Sequence, residues 1–229
     1  MRNYLIIGAS TGIGAATINE LKGKAALYGT YNEHEIQNKE GSYKKFDVTE
    51  SELETDWLPD VLDGLVYCPG SINLKPFHRF SDDDFMKDFE LQVLGAVKVI
   101  RAVLPKLKKA EQASIVLFST VAVANGFPFH SQVSTSKGAL EGLTRALAAE
   151  YAPKIRVNCI APSLVDTPLA GQLLNNEKKV EVNAQRHPLK RVGRSDDIAM
   201  AVEYLLSGKS SWVTGQVLKI DGGISSLKV

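Results

Sequence analysis

The feature that most limits how this chain can fold lies near its start. The apolar run Tyr4-Leu5-Ile6-Ile7 passes directly into Gly8-Ala9-Ser10-Thr11-Gly12-Ile13-Gly14. Such a run suits a strand buried on both faces, and the residues after the glycines read as the opening of a helix. Glycine permits the tight turn between them and lets a pyrophosphate approach the backbone, while the first helical turn offers unpaired N–H donors. A bare glycine-rich turn is the alternative. With strand and helix both in place, the phosphate-binding reading is the stronger one.

The same alternation continues. Strand-like runs at 4–7, 25–29, 43–46, 65–68, 115–119, 155–160 and 217–220 are separated by helical patterns. That order predicts βαβ units, hence a doubly wound α/β Rossmann fold with a mostly parallel, seven-stranded sheet flanked by helices. Helix starts are expected at Thr49-Glu50-Ser51-Glu52, read as a capping box, at Ser81 before three aspartates, and at Ser195 before Asp196 and Asp197. Segment 131–151 lacks proline and has helical apolar spacing through Val133, Leu140, Leu143, Thr144 and Leu147. No repeat, low-complexity tract or linker divides the chain, so one domain over 1–229 is expected.

Charge and cysteine usage narrow the function. A net charge of +1 gives no bias toward nucleic acid or anionic membrane. The basic run Lys106-Leu107-Lys108-Lys109 closes a helical stretch, where cations are favoured by the dipole, and reads as solvated surface. Cys68 and Cys159 have no metal-ligand spacing and sit in strand-like surroundings, so no metal site and a reducing, cytoplasmic setting are expected. No apolar run is long enough for a membrane span, and a first strand beginning near Asn3 leaves no room for a signal peptide.

The spacing Gly8-x-x-x-Gly12-x-Gly14 resembles the phosphate loop of the short-chain dehydrogenases/reductases, and further matches occur in that family's order along nearly the whole chain. Phe46-Asp47-Val48-Thr49 is similar to the strand end whose Asp holds the adenine. Ile155–Pro168 resembles the sixth strand and the turn touching nicotinamide, where Val165 would offer backbone groups and Thr167 a hydroxyl to the carboxamide; Thr167 alternatively caps a helix before Pro168. Thr214–Gly223 is similar to the last strand and closing turn. Cys68-Pro69-Gly70 stands where the family has Asn-Ala-Gly. The resemblance implies a nicotinamide cofactor held by Gly8, Ser10, Thr11, Gly12, Ile13, Gly14, Thr30, Asn32, Asp47, Val48, Cys68, Gly70, Lys137, Val165 and Thr167. It also implies a small-molecule substrate and a homodimer or homotetramer packed through two long helices.

Family chemistry moves hydride between nicotinamide and a carbonyl or alcohol carbon while a Tyr exchanges the proton of the oxygen. A Lys four residues later lowers the Tyr pKa, because positions four apart share a helix face. Here Lys137 matches the Lys, but the Tyr position is Val133. Thr120 stands for the family Ser and Gln92 for its Asn. Loss of a positioned general acid typically costs on the order of 10²–10⁴ in rate. Lys137 otherwise reads as an ordinary helix lysine, and Thr120 as a strand-end residue. His130, seven residues before Lys137, would share its face if the helix runs through it, and resembles the Tyr-before-Lys spacing of enoyl-carrier-protein reductases. It alternatively starts the helix, satisfied by backbone. Expected function is therefore an NAD(P)(H)-dependent oxidoreductase with an atypical site, the rival being a catalytically silent nucleotide sensor or scaffold. The second strand ends Gly29-Thr30-Tyr31-Asn32, with Thr30 where NAD-specific relatives carry an acid, so NADP(H) is expected over NAD(H) despite Glu33 and Glu35 close by.

Overall fold

The computed structural model describes residues 1–36 and 40–228. Its strands are β1 (Asn3–Ile7), β2 (Ala26–Tyr31), β3 (Ser42–Lys45), β4 (Gly64–Tyr67), β5 (Ala113–Phe118), β6 (Ile155–Pro162), β7 (Val165–Asp166), β8 (Gly193–Arg194) and β9 (Val217–Ile220). Seven form one parallel sheet in the order β3-β2-β1-β4-β5-β6-β9, while β7 and β8 pair separately. The order reverses between β1 and β4. That switch point opens a crevice beyond the carboxyl ends of the strands.

Strand residues alternate between two cores. Leu5, Ile7, Leu65, Tyr67, Ile115 and Leu117 face one side, where they meet helices α3 (Gly95–Leu107) and α5 (Ser131–Tyr151). Tyr4, Ile6, Val66, Val116 and Phe118 face the other, against α1 (Gly12–Leu21) and α7 (Ser195–Leu206). This period of two, apolar on both sides, is why the strands read as unbroken hydrophobic runs. The remaining helices are α2 (Asp82–Phe89), the short α4 (Val121–Asn125) and α6 (Glu177–Gln185). Arg156 of β6 is buried and donates to Leu205 O at 2.8 Å and Ser207 O at 3.2 Å, closing the C-terminal end of α7.

The expected cap at Ser81 is present as a reciprocal pair. Its Oγ accepts from Asp84 N at 3.2 Å, and the Asp84 carboxylate accepts from Ser81 N at 2.8 Å. The expected helix at Thr49–Glu52 does not form. There Asp47 takes the capping role, its Oδ1 accepting from Thr49 N and Thr49 Oγ1 at 2.8 and 2.6 Å, and the chain makes a turn instead. The helix at Ser195 starts one residue after its cap: Arg194 is the cap, its N–H donating to Asp197 at 2.7 Å, while Ser195 Oγ donates to Asp166 O. Strand β2 runs to Tyr31, two residues beyond the expected end at Gly29. Among the described residues no helix is long and apolar enough to cross a membrane.

Candidate functional site

The glycine loop forms because β1 must turn into α1 within a few residues. Gly8 and Gly12 have φ of +74° and +52°, the left-handed region that penalises side chains. Gly14 is required for a different reason: a Cβ there would lie 2.1 Å from Gly8 O. No side chain caps α1 at Thr11, so the first amides of the helix stay available to an anion. A groove of about 430 Å³ lies along this loop, lined by Gly8, Ser10, Thr11, Gly12, Ile13, Gly14, Thr30, Asn32, Asp47, Val48, Cys68, Gly70 and Thr167. The residues expected to hold a cofactor are thus gathered on one groove, apart from Val165 and Lys137, which line an adjoining cavity.

Two of them are placed differently from their expected roles. Thr30 is 1% exposed, and its Oγ1 accepts from Gly8 N at 3.3 Å while its carbonyl accepts from Ala9 N at 2.7 Å. Because β2 continues past it, its hydroxyl braces the glycine loop; Asn32 is the exposed side chain at the strand tip. Asn32 Nδ2 donates to Asp47 Oδ2 at 2.8 Å. The Thr49 hydroxyl and backbone N–H, with Asn32 adding to them, hold the Asp47 carboxyl below its ordinary range. Thr167 Oγ1 accepts from Ala170 N at 3.3 Å, which is the helix-cap role, and it also faces both cavities.

The second cavity, of about 270 Å³, shares Ile13, Cys68, Gly70, Thr167 and Leu169 with the groove. Thr120, Val133, Lys137, His130 and Val165 line it. Lys137 is 9% exposed, and burial drops its ammonium pKa to about 8. Gln92 is fully buried within a π turn, Glu90–Leu94, that joins α2 to α3. Its Nε2 donates to Asp88 at 2.7 Å, and its Oε1 has no hydrogen-bond partner. That oxygen and Lys137 Nζ lie 3.3 and 3.4 Å from where a Cβ on Gly70 would stand, so both converge on one glycine. Asp88 also accepts a short hydrogen bond from Ser71. Thr120 caps α4, accepting from Ala122 N at 3.3 Å.

His130 stands just outside the helix that carries Lys137, although both line the second cavity. It is the cap residue of α5, with ψ 12°, and its Nδ1 lies 2.8 Å from Pro128 O. The Phe127-Pro128-Phe129 segment, with φ of +70° at Phe129, turns the chain before the helix begins. Burial pushes both the Cys68 and Cys159 thiols up to about 12, which makes them poor nucleophiles.

Three polar residues of this region have no role assigned by the sequence: Asp88, His187 and Ser163, the last within the segment that resembles the nicotinamide turn. Ser163 and His187 stand 24 residues apart, and no local pattern links them. Among the described residues no group of three His, Cys, Asp or Glu is arranged to hold a metal ion.

Comparison with known proteins agrees with this architecture. The family described as enoyl-(acyl carrier protein) reductase matches residues 8–225. A tropinone reductase homolog of Arabidopsis thaliana is 31% identical over 97% of this chain and 92% of its own. The 3-oxoacyl-(acyl-carrier-protein) reductase of Thermotoga maritima is 30% identical over 96% of each chain. The solved structure of ElxO with NADP bound superposes with a TM-score of 0.88 at 26% identity, covering 99% of both chains. With the glycine loop, the parallel sheet and the buried lysine in these positions, the chain belongs to the short-chain dehydrogenase/reductase family of oxidoreductases.

Proposed function

We infer that the chain carries hydride between a nicotinamide dinucleotide and a small carbonyl or alcohol carbon. The observation that carries this reading is the junction of the two cavities. The glycine-lined groove, too tight at Gly14 for any side chain, opens at Cys68, Gly70 and Thr167 into a cavity holding a buried lysine. The residues fit the cofactor: uncapped amides of α1 for the pyrophosphate, Asp47 and Val48 for the adenine, and Val165 and Thr167 for the carboxamide. Lys137, buried beside Gly70, serves the ribose hydroxyls. A bound nicotinamide supplies or accepts the hydride. Thr120 and Lys137 then face the reacting oxygen, with Gln92 beside Lys137.

NADP(H) is the preferred form in this reading. What supports it is Asn32, an uncharged side chain at the strand tip where NAD-specific relatives carry an acid; Glu33 and Asp47, which line the same end of the groove, weigh against it. The ElxO structure contains NADP. A homodimer or homotetramer packed through the two long helices, α3 and α5, is the expected assembly. Val133, buried and apolar where a phenol is expected, favours a second reading: a nucleotide-binding protein without turnover.

Titration with NADPH and NADH, then a panel of small ketones, aldehydes and alcohols, tests both readings. NADPH binding with turnover supports the oxidoreductase; binding without turnover supports the silent protein. Gly12→Val should abolish binding in a folded chain, since its φ is +52° and its Cβ would stand 3.4 Å from Thr167. Undiminished binding by that variant removes the assigned groove.

A further inference from the structure

Ser163 and His187 form a hydrogen-bonded pair in the wall of the second cavity. Ser163 Oγ lies 2.9 Å from His187 Nε2, and His187 Nδ1 lies 2.7 Å from the carbonyl oxygen of Asn183. A backbone carbonyl only accepts, so the proton at that end sits on Nδ1. In the neutral ring Nε2 is therefore bare, and Ser163 must donate to it. When the ring gains a proton, Nε2–H donates to Ser163 Oγ instead, and the serine O–H is released toward the cavity. His187 is 3% exposed, packed against Gly222, whose Cβ would stand 3.4 Å from the ring. The orientation is thus fixed on three sides; both residues line the cavity, Ser163 half-buried and His187 the deeper of the two.

The position matters because Ser163 lies just past the end of β6, next to the β5 end that leads into Thr120. Both hydroxyls line the cavity that contains Lys137 and Val133. Val133 cannot exchange a proton, and His130, which also lines the cavity, is held through Nδ1 alone, by Pro128 O, whereas His187 is held through both ring nitrogens.

We propose that Ser163, recharged by His187, is the proton donor and acceptor for the substrate oxygen. This rests on the oxidoreductase reading above. In reduction, hydride from the reduced nicotinamide bonds to the carbonyl carbon and the π pair of the C=O bond moves to oxygen. That oxygen takes the proton of Ser163, and Ser163 takes one from Nε2 of cationic His187. The carbonyl is reduced to an alcohol, the nicotinamide is oxidised, and His187 ends neutral. Oxidation of an alcohol runs the same steps backward and needs His187 neutral. Ser163 is the catalytic residue; His187 acts through it.

Other charged groups near the ring have partners or stand apart. Arg186 Nη1 donates to Asn183 Oδ1 at 3.4 Å and its guanidinium covers Phe127. Lys190 Nζ donates to Gln185 O, and Asp221 accepts from Gly223 N and from Ser225. Lys137 and His130 share the cavity, so a pH profile must be compared across variants.

The test uses the full chain saturated with NADPH. Nitrogen NMR of the labelled imidazoles should find neutral His187 protonated at Nδ1, with its titration displaced in Ser163→Ala. A proton on Nε2 in the neutral ring overturns the proposal. The ketone panel supplies the second readout. Ser163→Ala should lower kcat by about 10²-fold or more with unchanged NADPH affinity, and Ser163→Thr should restore most of it. His187→Gln keeps a hydrogen bond to Ser163 but cannot titrate, so it should remove the alkaline fall of the reductive profile. Turnover that is unchanged in Ser163→Ala and His187→Gln overturns the pair and leaves the oxidoreductase intact. A wild-type chain that binds NADPH and turns over no member overturns both.

Discussion

Lys137 Nζ and Gln92 Oε1, carried by different helices, meet within 3.4 Å of the point where a side chain on Gly70 would begin. The lysine hangs from α5, the amide from the π turn, and the glycine sits just past β4. An ammonium with burial to overcome and an amide oxygen without a donor both face that point. Unmet polar capacity of this kind costs stability in a protein that stands alone.

Lys137→Met measures that cost. The folded ammonium has a pKa of about 8, below its unfolded value of 10.5, so burial destabilises the chain below pH 8. The penalty fades as pH rises from about 8 to 10.5, where the folded state loses its proton first. A shift of this size corresponds to roughly 3 kcal/mol at most. Without cofactor, the Met variant should melt higher than wild type at pH 7, with the gap narrowing toward pH 10. Its NADPH affinity should fall. Equal melting temperatures at pH 7 would refute the buried-charge assignment.

Gly14→Ala should be far more damaging than an average glycine substitution. The added Cβ meets backbone, Gly8 O at 2.1 Å, and neither strand nor helix can retreat without losing core contacts. A loss of about 3 kcal/mol or more is expected, together with loss of dinucleotide binding. Gly142→Ala has nothing within 4 Å of the new Cβ and should be neutral or mildly stabilising by melting.

Val133→Tyr restores a phenol four residues before Lys137 on α5. Val133 is 5% exposed and lines the cavity, so the larger ring must extend into that space. Reductase activity on an activated ketone should rise about tenfold or more. A folded, NADPH-binding variant with no gain across the panel would argue against the placement of the reacting oxygen.

The start of α2 offers a stability test away from the site. Hydrogen bonds from Lys75 and Ser81 pull the Asp84 carboxyl down to about 2. A lowered carboxyl pKa stabilises above the unfolded value near 3.8, and that contribution disappears as pH falls toward 2. Ser81→Ala should cost about 1 kcal/mol at neutral pH, seen as a shift of a few degrees in Tm.

Residues alone reveal what local pattern determines. Strand positions came from apolar runs and the glycine loop from its spacing. The helix over 131–151 matched its observed bounds because Pro128 and Pro153 flank its apolar stripe and none interrupts it. The misreadings came from competition between neighbours. Thr49 resembled a cap, but Asp47, two residues earlier, accepts from both the N–H and the hydroxyl of Thr49 itself. Thr30 was matched to the strand-end acid of NAD-specific relatives, just past an expected strand end at Gly29, yet β2 pairs with β3 through Tyr31↔Lys45. Ser163 and His187 were invisible for another reason: their contact is made by the fold, between the end of β6 and the second residue after α6.

The π turn at Glu90–Leu94 carries one further consequence. Its wider loop, marked by Gly95 N donating to Glu90 O, adds a residue between α2 and α3. Each helical residue advances about 100° around the axis. The extra residue therefore decouples the aim of Gln92 from the seating of Ala96, Val99, Ile100 and Val103 on the sheet. Removing one residue there would let the long helix run on unbroken, its apolar face still seated, while the Gln92 amide swung about a quarter turn away from Lys137. The framework would survive a deletion that the site would not.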